Sequence, residues 1–239
     1  MNGSLAGARE LLAGIKAGIA EVTRAEVAVC PPYILIPEAQ AQLTGSPIAW
    51  GGQNLSTEAH GAFTGEISAA MLLDFGCKYV LVGHSERRTL YGESNGLVAK
   101  KFAVAREAGL IPILCIGETL EERQQGVTEK TVGEQLAAVI DLEGVAALGD
   151  AVVAYEPVWA IGTGMTASPE QAQAVHAFIR AQVAQRDAGV AEGLRILYGG
   201  SMKPGNAAEL MAQSDIDGGL IGGAALKADD FLAICKAAN

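Results

Sequence analysis

Short apolar runs without polar alternation recur along this chain, separated by longer stretches with helical periodicity. Val80-Leu81-Val82 and Ile113-Leu114-Cys115-Ile116 are the clearest of these runs. A strand with one wet face alternates polar and apolar residues, whereas a strand apolar throughout is covered on both faces. Strands of this kind alternating with helices imply a parallel sheet layered with helices. Strand candidates lie at about 25–30, 47–51, 78–82, 111–116, 151–156, 194–198 and 217–221. Helical periodicity covers about 4–22, 34–43, 66–75, 95–109, 129–140, 168–187, 204–213 and 228–238. The first of these stretches spaces Leu5, Ala8, Leu12, Ile15, Ile19 and Val22 along one helical face. Ser168-Pro169-Glu170 reads as an N-cap followed by proline at the first helical position. Lys203-Pro204-Gly205-Asn206 opens the next helix in a similar way.

The order of these elements is informative. A closed (β/α)8 barrel holds eight strands and eight helices and begins with a strand. This α/β chain reads as about seven strands and eight helices and begins with a helix. It is therefore an open sheet or a barrel lacking its first β-strand. The 239 residues suit one barrel domain spanning 1–239, and no linker-like segment divides them. Half the residues are hydrophobic and only 5% aromatic, so Ala, Val, Ile and Leu must build the core.

Several function classes are disfavoured. The net charge is −10 and no Lys/Arg run is present, which argues against nucleic acid as a partner. No apolar window is long enough for a membrane-spanning helix, and Arg9, Glu10 and Lys16 interrupt any signal-peptide core. Cys30, Cys77, Cys115 and Cys235 are far apart and show no metal-ligand spacing. They read as buried, reduced thiols in a cytosolic protein.

In a β/α barrel, chemistry collects where strands end. The third strand candidate runs into Gly83-His84-Ser85-Glu86, the fifth into Glu156-Pro157-Val158-Trp159, the sixth into Gly199-Gly200-Ser201 and the seventh into Gly222-Gly223. Taken singly these are weak signals: a histidine here is usually structural, a glutamate usually ion-paired, and a Gly-Gly pair usually a turn. Their convergence on one rim points instead to a proton-transfer pair beside backbone cradles for an anion.

The motifs GGQNLS (51–56), GAFTGE (61–66), GHSERR (83–88), YEPVWAIGTG (155–164), YGGS (198–201) and IGGA (221–224) together resemble the triosephosphate isomerase family, over the whole chain and in the family's order. The resemblance implies a TIM barrel that interconverts dihydroxyacetone phosphate and glyceraldehyde 3-phosphate. It also implies a cytoplasmic homodimer that needs neither cofactor nor metal. Glu156 matches the catalytic base and His84 the group that polarises the carbonyl. Gly162, Ser201, Gly222 and Gly223 match the phosphate-holding backbone positions. Ser85 and Glu86 match polar neighbours of the site, and Cys115 a residue beneath it. Thr64, on the loop carrying Phe63, would reach a partner subunit's site. Residues 157–167 resemble the family's lid, with Met165 where lysine is common.

One departure stands out. The family's first strand ends in Gly-Asn-Trp-Lys-Met-Asn-Gly, whereas this chain opens on Met1-Asn2-Gly3-Ser4. The family's asparagine and lysine have no counterpart, and the expectation is a poor isomerase unless that strand is supplied upstream. The alternative from another class is a non-catalytic phosphate-binding barrel. A different barrel enzyme acting on a phosphorylated metabolite fits the long motifs around His84 and Glu156 poorly.

Overall fold

The computed structural model describes all 239 residues. The helices and strands alternate from the N-terminus as α1 (Leu5–Gly18), β1 (Val27–Val29), α2 (Ile36–Leu43), β2 (Ile48–Gly52), α3 (Ala69–Asp74) and β3 (Tyr79–Val82). There follow α4 (Ser85–Tyr91), α5 (Asn95–Ala108), β4 (Ile111–Ile116), α6 (Leu120–Gln124), α7 (Thr128–Glu143) and β5 (Val152–Tyr155). The chain continues through α8 (Pro169–Ala184), α9 (Ala188–Gly193), β6 (Arg195–Tyr198), α10 (Ala207–Met211), β7 (Gly218–Gly219) and α11 (Ala228–Lys236). All seven strands are parallel and pair in sequence order, with β1 and β7 as the two edges. This is the TIM-barrel arrangement without its first strand, as expected from the sequence. There are eleven α-helices rather than eight. The three additions, α4, α6 and α9, are five to seven residues long, too short to carry a full apolar stripe. β7 is confined to two residues, fewer than its apolar run suggests.

The strands bury both faces by strict alternation. Tyr79, Leu81, Ile113, Cys115, Val152 and Ala154 form an inner cluster, while Val80, Val82, Leu114, Ile116, Val153 and Tyr155 join the helices in a larger outer core. Ser168 and Gln171 exchange hydrogen bonds as a capping box for α8, with Pro169 at its first turn.

The helical layer closes between α1 and α11. These helices approach so closely that a Cβ on Gly14 would sit 2.8 Å from Ala228 Cβ, and one on Gly18 2.4 Å from Leu232 Cδ1. Beyond the helix ends, Asn239 Oδ1 accepts from Thr23 N–H at 2.8 Å, and its Nδ2 donates to Glu21 O at 2.8 Å. At the opposite mouth of the barrel from the strand ends, Glu26 accepts from Lys78 Nζ (2.5 Å), Tyr79 OH (2.8 Å) and Arg195 Nη1 (2.6 Å). One carboxylate thus ties the start of β1 to the starts of β3 and β6. Those hydrogen bonds, led by Lys78, hold its pKa down at about 2.

His176 of α8 is fully buried, with its Nδ1 3.0 Å from Asp215 O and its ring edge-on to Tyr155. A carbonyl only accepts, so Nδ1 carries the proton. Burial, the largest influence, lowers the imidazole pKa from 6.5 to about 4. The fold therefore favours the neutral ring, and its contribution is complete above pH 6.5 and lost as pH falls through about 4. At about 1.4 kcal/mol per pH unit, roughly 3 kcal/mol of stability is at stake. Denaturant titrations of the parent and His176→Gln should diverge in slope between those pH values, the variant being less acid-sensitive. Equal slopes would assign the acid loss to other groups.

Candidate active site

Every residue singled out around the proton-transfer pair lies at the C-terminal end of the barrel. β3 runs into Gly83, whose φ of +71° and close approach to Val98 and Arg88 leave no room for a side chain. That turn delivers His84 as the N-cap of α4. Its Nδ1 accepts from the Glu86 backbone N–H at 3.2 Å. An imidazole accepting at Nδ1 carries its proton on Nε2, and Nε2 lies 2.9 Å from Glu156 Oε1. The other carboxylate oxygen, Oε2, accepts from the Ser85 N–H at 2.9 Å.

Glu156 follows β5 directly. Its N–H bonds to Ile116 O at 2.7 Å, and its side chain is almost wholly buried. Gly199, after β6, makes room for it: a Cβ there would lie 2.9 Å from Glu156 Cγ. Burial pulls the His84 pKa down, but the adjoining Glu156 carboxylate and Glu86 outweigh it, and the net shift is upward.

The supporting residues divide into those brought to the pair and those held apart. Cys115 is buried within β4, its thiol pKa driven far up by burial. Its carbonyl accepts from Arg88 Nη2 at 3.1 Å, and Arg88 Nε also donates to Gly83 O at 2.7 Å, which braces the turn beneath His84. Glu86 contributes its backbone N–H, while its carboxylate is largely exposed 3.9 Å from the ring. Thr64 is exposed on the loop after β2 and makes no side-chain bond to the pair in its own chain.

The residues expected from the sequence to cradle an anion lie on the loops after β5, β6 and β7. Gly162 is exposed at φ +68°, and Ser201 is half-buried. Gly222 and Gly223 open a 3₁₀ turn, Gly223–Leu226, whose first internal bond runs from Ala225 N–H to Gly222 O. The N–H groups of Gly222, Gly223 and Ala224 precede that bond and point away from the ladder, as at any helical start. The first Gly of the 199–200 pair plays a different part from the one its sequence suggests. Its N–H is spent on Tyr155 O at 2.7 Å, and its value is the space it leaves for Glu156.

The root of segment 157–167 is fixed by a residue that the sequence reading passed over. Glu118 is fully buried and accepts from Tyr155 OH (3.0 and 3.1 Å), Trp159 Nε1 (2.9 Å) and Arg123 Nη1 (3.3 Å). Arg123 also lies over the Trp159 ring. Residues 161–166 beyond that anchor are largely exposed. Glu118 follows β4 just as Glu156 follows β5, so the strand-end rule itself was the available signal.

The triosephosphate isomerase sequence profile matches residues 1–238. The chain belongs to the triosephosphate isomerase family. It is 64% identical to the triosephosphate isomerase of Dechloromonas aromatica, with all of this chain and 96% of the relative aligned. The Thiobacillus denitrificans enzyme is also 64% identical, over all of this chain and 95% of the relative. That of Nitrosococcus oceani is 59% identical over all of this chain and 96% of the relative. Membership makes the chain an isomerase, and kinship this close along its whole length favours the catalytic reading over the non-catalytic phosphate-binding barrel. No helix is long and apolar enough to cross a membrane.

Proposed function

We propose that this chain interconverts dihydroxyacetone phosphate and glyceraldehyde 3-phosphate, with Glu156 as the base and His84 as the hydrogen-bond donor to the substrate oxygens. The observation that carries the assignment of roles is the Glu156–His84 contact, 2.9 Å long, with the carboxylate almost closed to solvent and the imidazole proton directed at it. A substrate entering between them would place a carbon-bound proton on one side and a carbonyl oxygen on the other. Glu156 takes a proton from the carbon next to the carbonyl, and the resulting enediolate oxygen accepts from His84 Nε2. Glu156 then returns the proton to the neighbouring carbon, and the aldose and ketose are exchanged. The Glu86 N–H at the start of α4 donates to Nδ1, which leaves the ring proton on Nε2, the nitrogen that faces the substrate oxygens. Gly162, Ser201, Gly222 and Gly223 hold the phosphate through backbone N–H groups. Closure of 161–166 over the site excludes water from the enediolate, with Glu118 as the fixed anchor of the moving segment. The experiment is a coupled assay run from each triose phosphate. Turnover in both directions is expected, poor in the chain as it stands and restored when a strand ending in Gly-Asn-Trp-Lys is added upstream; its absence in folded protein with that strand present would overturn the reading.

The same proposal includes a second copy of the chain as partner and the cytoplasm as its compartment, where the four free thiols stay reduced. Phe63 is about half exposed beside Thr64, and Ile34, Leu90 and Tyr91 are more exposed still. Large apolar side chains left in water on the loop after β2, on α4 and between β1 and α2 favour self-association. Sedimentation at micromolar concentration should give a dimer, and Phe63→Glu should shift it toward monomer. A monomeric parent would sink the idea.

A further inference from the structure

Glu156 is held by main chain as well as by His84 and Ser85, and that main chain is itself held from the helical layer. The ladder between β4 and β5 ends where the Glu156 N–H reaches Ile116 O at 2.7 Å. One residue on, Gly117 lies so close to the Glu156 carbonyl that a Cβ there would stand 1.7 Å from its oxygen. Next, Glu118 O accepts from the Val158 N–H at 3.1 Å, and the Glu118 carboxylate takes Tyr155 OH and Trp159 Nε1. Residues 116–118 thus form a shelf on which both the base and the root of the lid rest.

One side chain fixes the middle of that shelf. Neither the N–H nor the carbonyl of Gly117 joins the strand ladder. Gln135 of α7 takes both: its Oε1 accepts from the Gly117 N–H at 2.7 Å, and its Nε2 donates to Gly117 O at 3.0 Å. A side-chain amide thereby pairs with the backbone as a neighbouring strand would, and sets distance and tilt together. Gln135 lies on the buried face of α7 with Val132, Leu136 and Val139. Burying an amide there costs its hydration, and an apolar side chain of the same length would fill the space without that cost. What the amide adds is the tie to Gly117. α7 runs for 16 residues and packs against α5 and α8, so the tie runs to a firm support.

We propose that Gln135 is a positioning residue for the isomerisation. Its amide bonds only to Gly117. It acts by holding Gly117 and, through that contact, by keeping the Glu156 carboxylate where it meets His84 Nε2 and the Ser85 N–H. This rests on Glu156 being the base.

The test is steady-state kinetics of two variants, each compared with a parent of the same N-terminus. Gln135→Met keeps the length and the apolar packing and removes both bonds, and the half-buried Gly117 groups pass to water. Its kcat should fall by roughly 10–10²-fold, as expected for a reacting group displaced by up to about 1 Å, with KM changed no more than a few-fold. Gln135→Glu keeps an acceptor for the Gly117 N–H and loses the donor, so its kcat should fall less. The deciding measurement repeats Gln135→Met in a Glu156→Gln background. A residue that acts only through the carboxylate has nothing left to position there, and the second substitution should cost no more than about two-fold. A general loosening of the barrel would instead cost the same in both backgrounds. Equal losses in the two backgrounds, or parent-like kcat in folded Gln135→Met, would overturn the proposal. If thermal melting shows one variant unfolded, the other carries the comparison, and unfolding of both would make Gln135 a structural residue and overturn it too. Near-normal turnover of Glu156→Gln alone would remove the base itself, so the two failures are separable.

Discussion

Glu156→Gln should lower kcat by about 10²–10⁴-fold, the range that a positioned general base supplies. Glutamine keeps the shape of glutamate and one carbonyl oxygen, so a bond from the Ser85 N–H or from His84 Nε2 survives and the fold is retained. What it cannot do near neutral pH is accept a proton from carbon. The residues proposed to hold the phosphate do so through backbone N–H groups that the substitution leaves in place, so KM should move only a few-fold. Steady-state kinetics with the coupled assay separate the two parameters, and near-normal turnover would remove Glu156 from its role.

Gly117→Ala should be nearly as damaging, although Gly117 touches no substrate. A Cβ on Gly117 would stand 1.7 Å from Glu156 O and 2.6 Å from its carbonyl carbon, where ordinary contacts begin at 3.4 Å. Backbone must move by more than an ångström. Gly117 itself is clamped, its N–H donating to Gln135 Oε1 at 2.7 Å and its carbonyl accepting from Gln135 Nε2 at 3.0 Å. The displacement therefore falls largely on Glu156. Misplacing a reacting group by about 1 Å costs on the order of 10²-fold in rate. Overpacking of this kind costs about 3 kcal/mol, or roughly 10 °C in melting temperature for a chain of this size. Gly96→Ala in α5 is the control, because nothing lies within 4 Å of its added Cβ. It should melt at or slightly above the parent temperature and turn over normally, whereas equal behaviour of the two variants would refute the steric argument.

The barrel was legible because doubly buried strands leave an unbroken apolar signature and long helices leave a periodic one. Short helices leave neither. α6 is announced only by its capping box, Thr119 with Glu122, and α9 only by the Asp187 N-cap. The site residues could be listed from strand ends and family motifs, but not their pairing. That Glu156 Oε1 meets His84 Nε2 while Oε2 meets the Ser85 N–H depends on how β3 and β5 flank β4 in the sheet. Gly199 was read as an anion donor because sequence shows that a side chain is missing, not what occupies the space. Lys101 was hidden for a related reason. It sits within the buried face of α5 between Val98 and Phe102, and only the fold reveals its bonds to Glu93 and Asn54.

The seam between α1 and α11 also orders events during synthesis. Gly14 and Gly18 are shaped to receive Ala228 and Leu232, which leave the ribosome more than two hundred residues later. Until then α1 lacks α11, and the side of the cluster around Leu12, Ile15 and Ile19 that Phe231, Leu232 and Cys235 complete stays open. Pairing across so long a stretch of chain is entropically expensive and slow. Nascent chains paused anywhere before α11 therefore carry an unsealed ring, and protection of α1 from proteases should appear only as the C-terminal helix emerges.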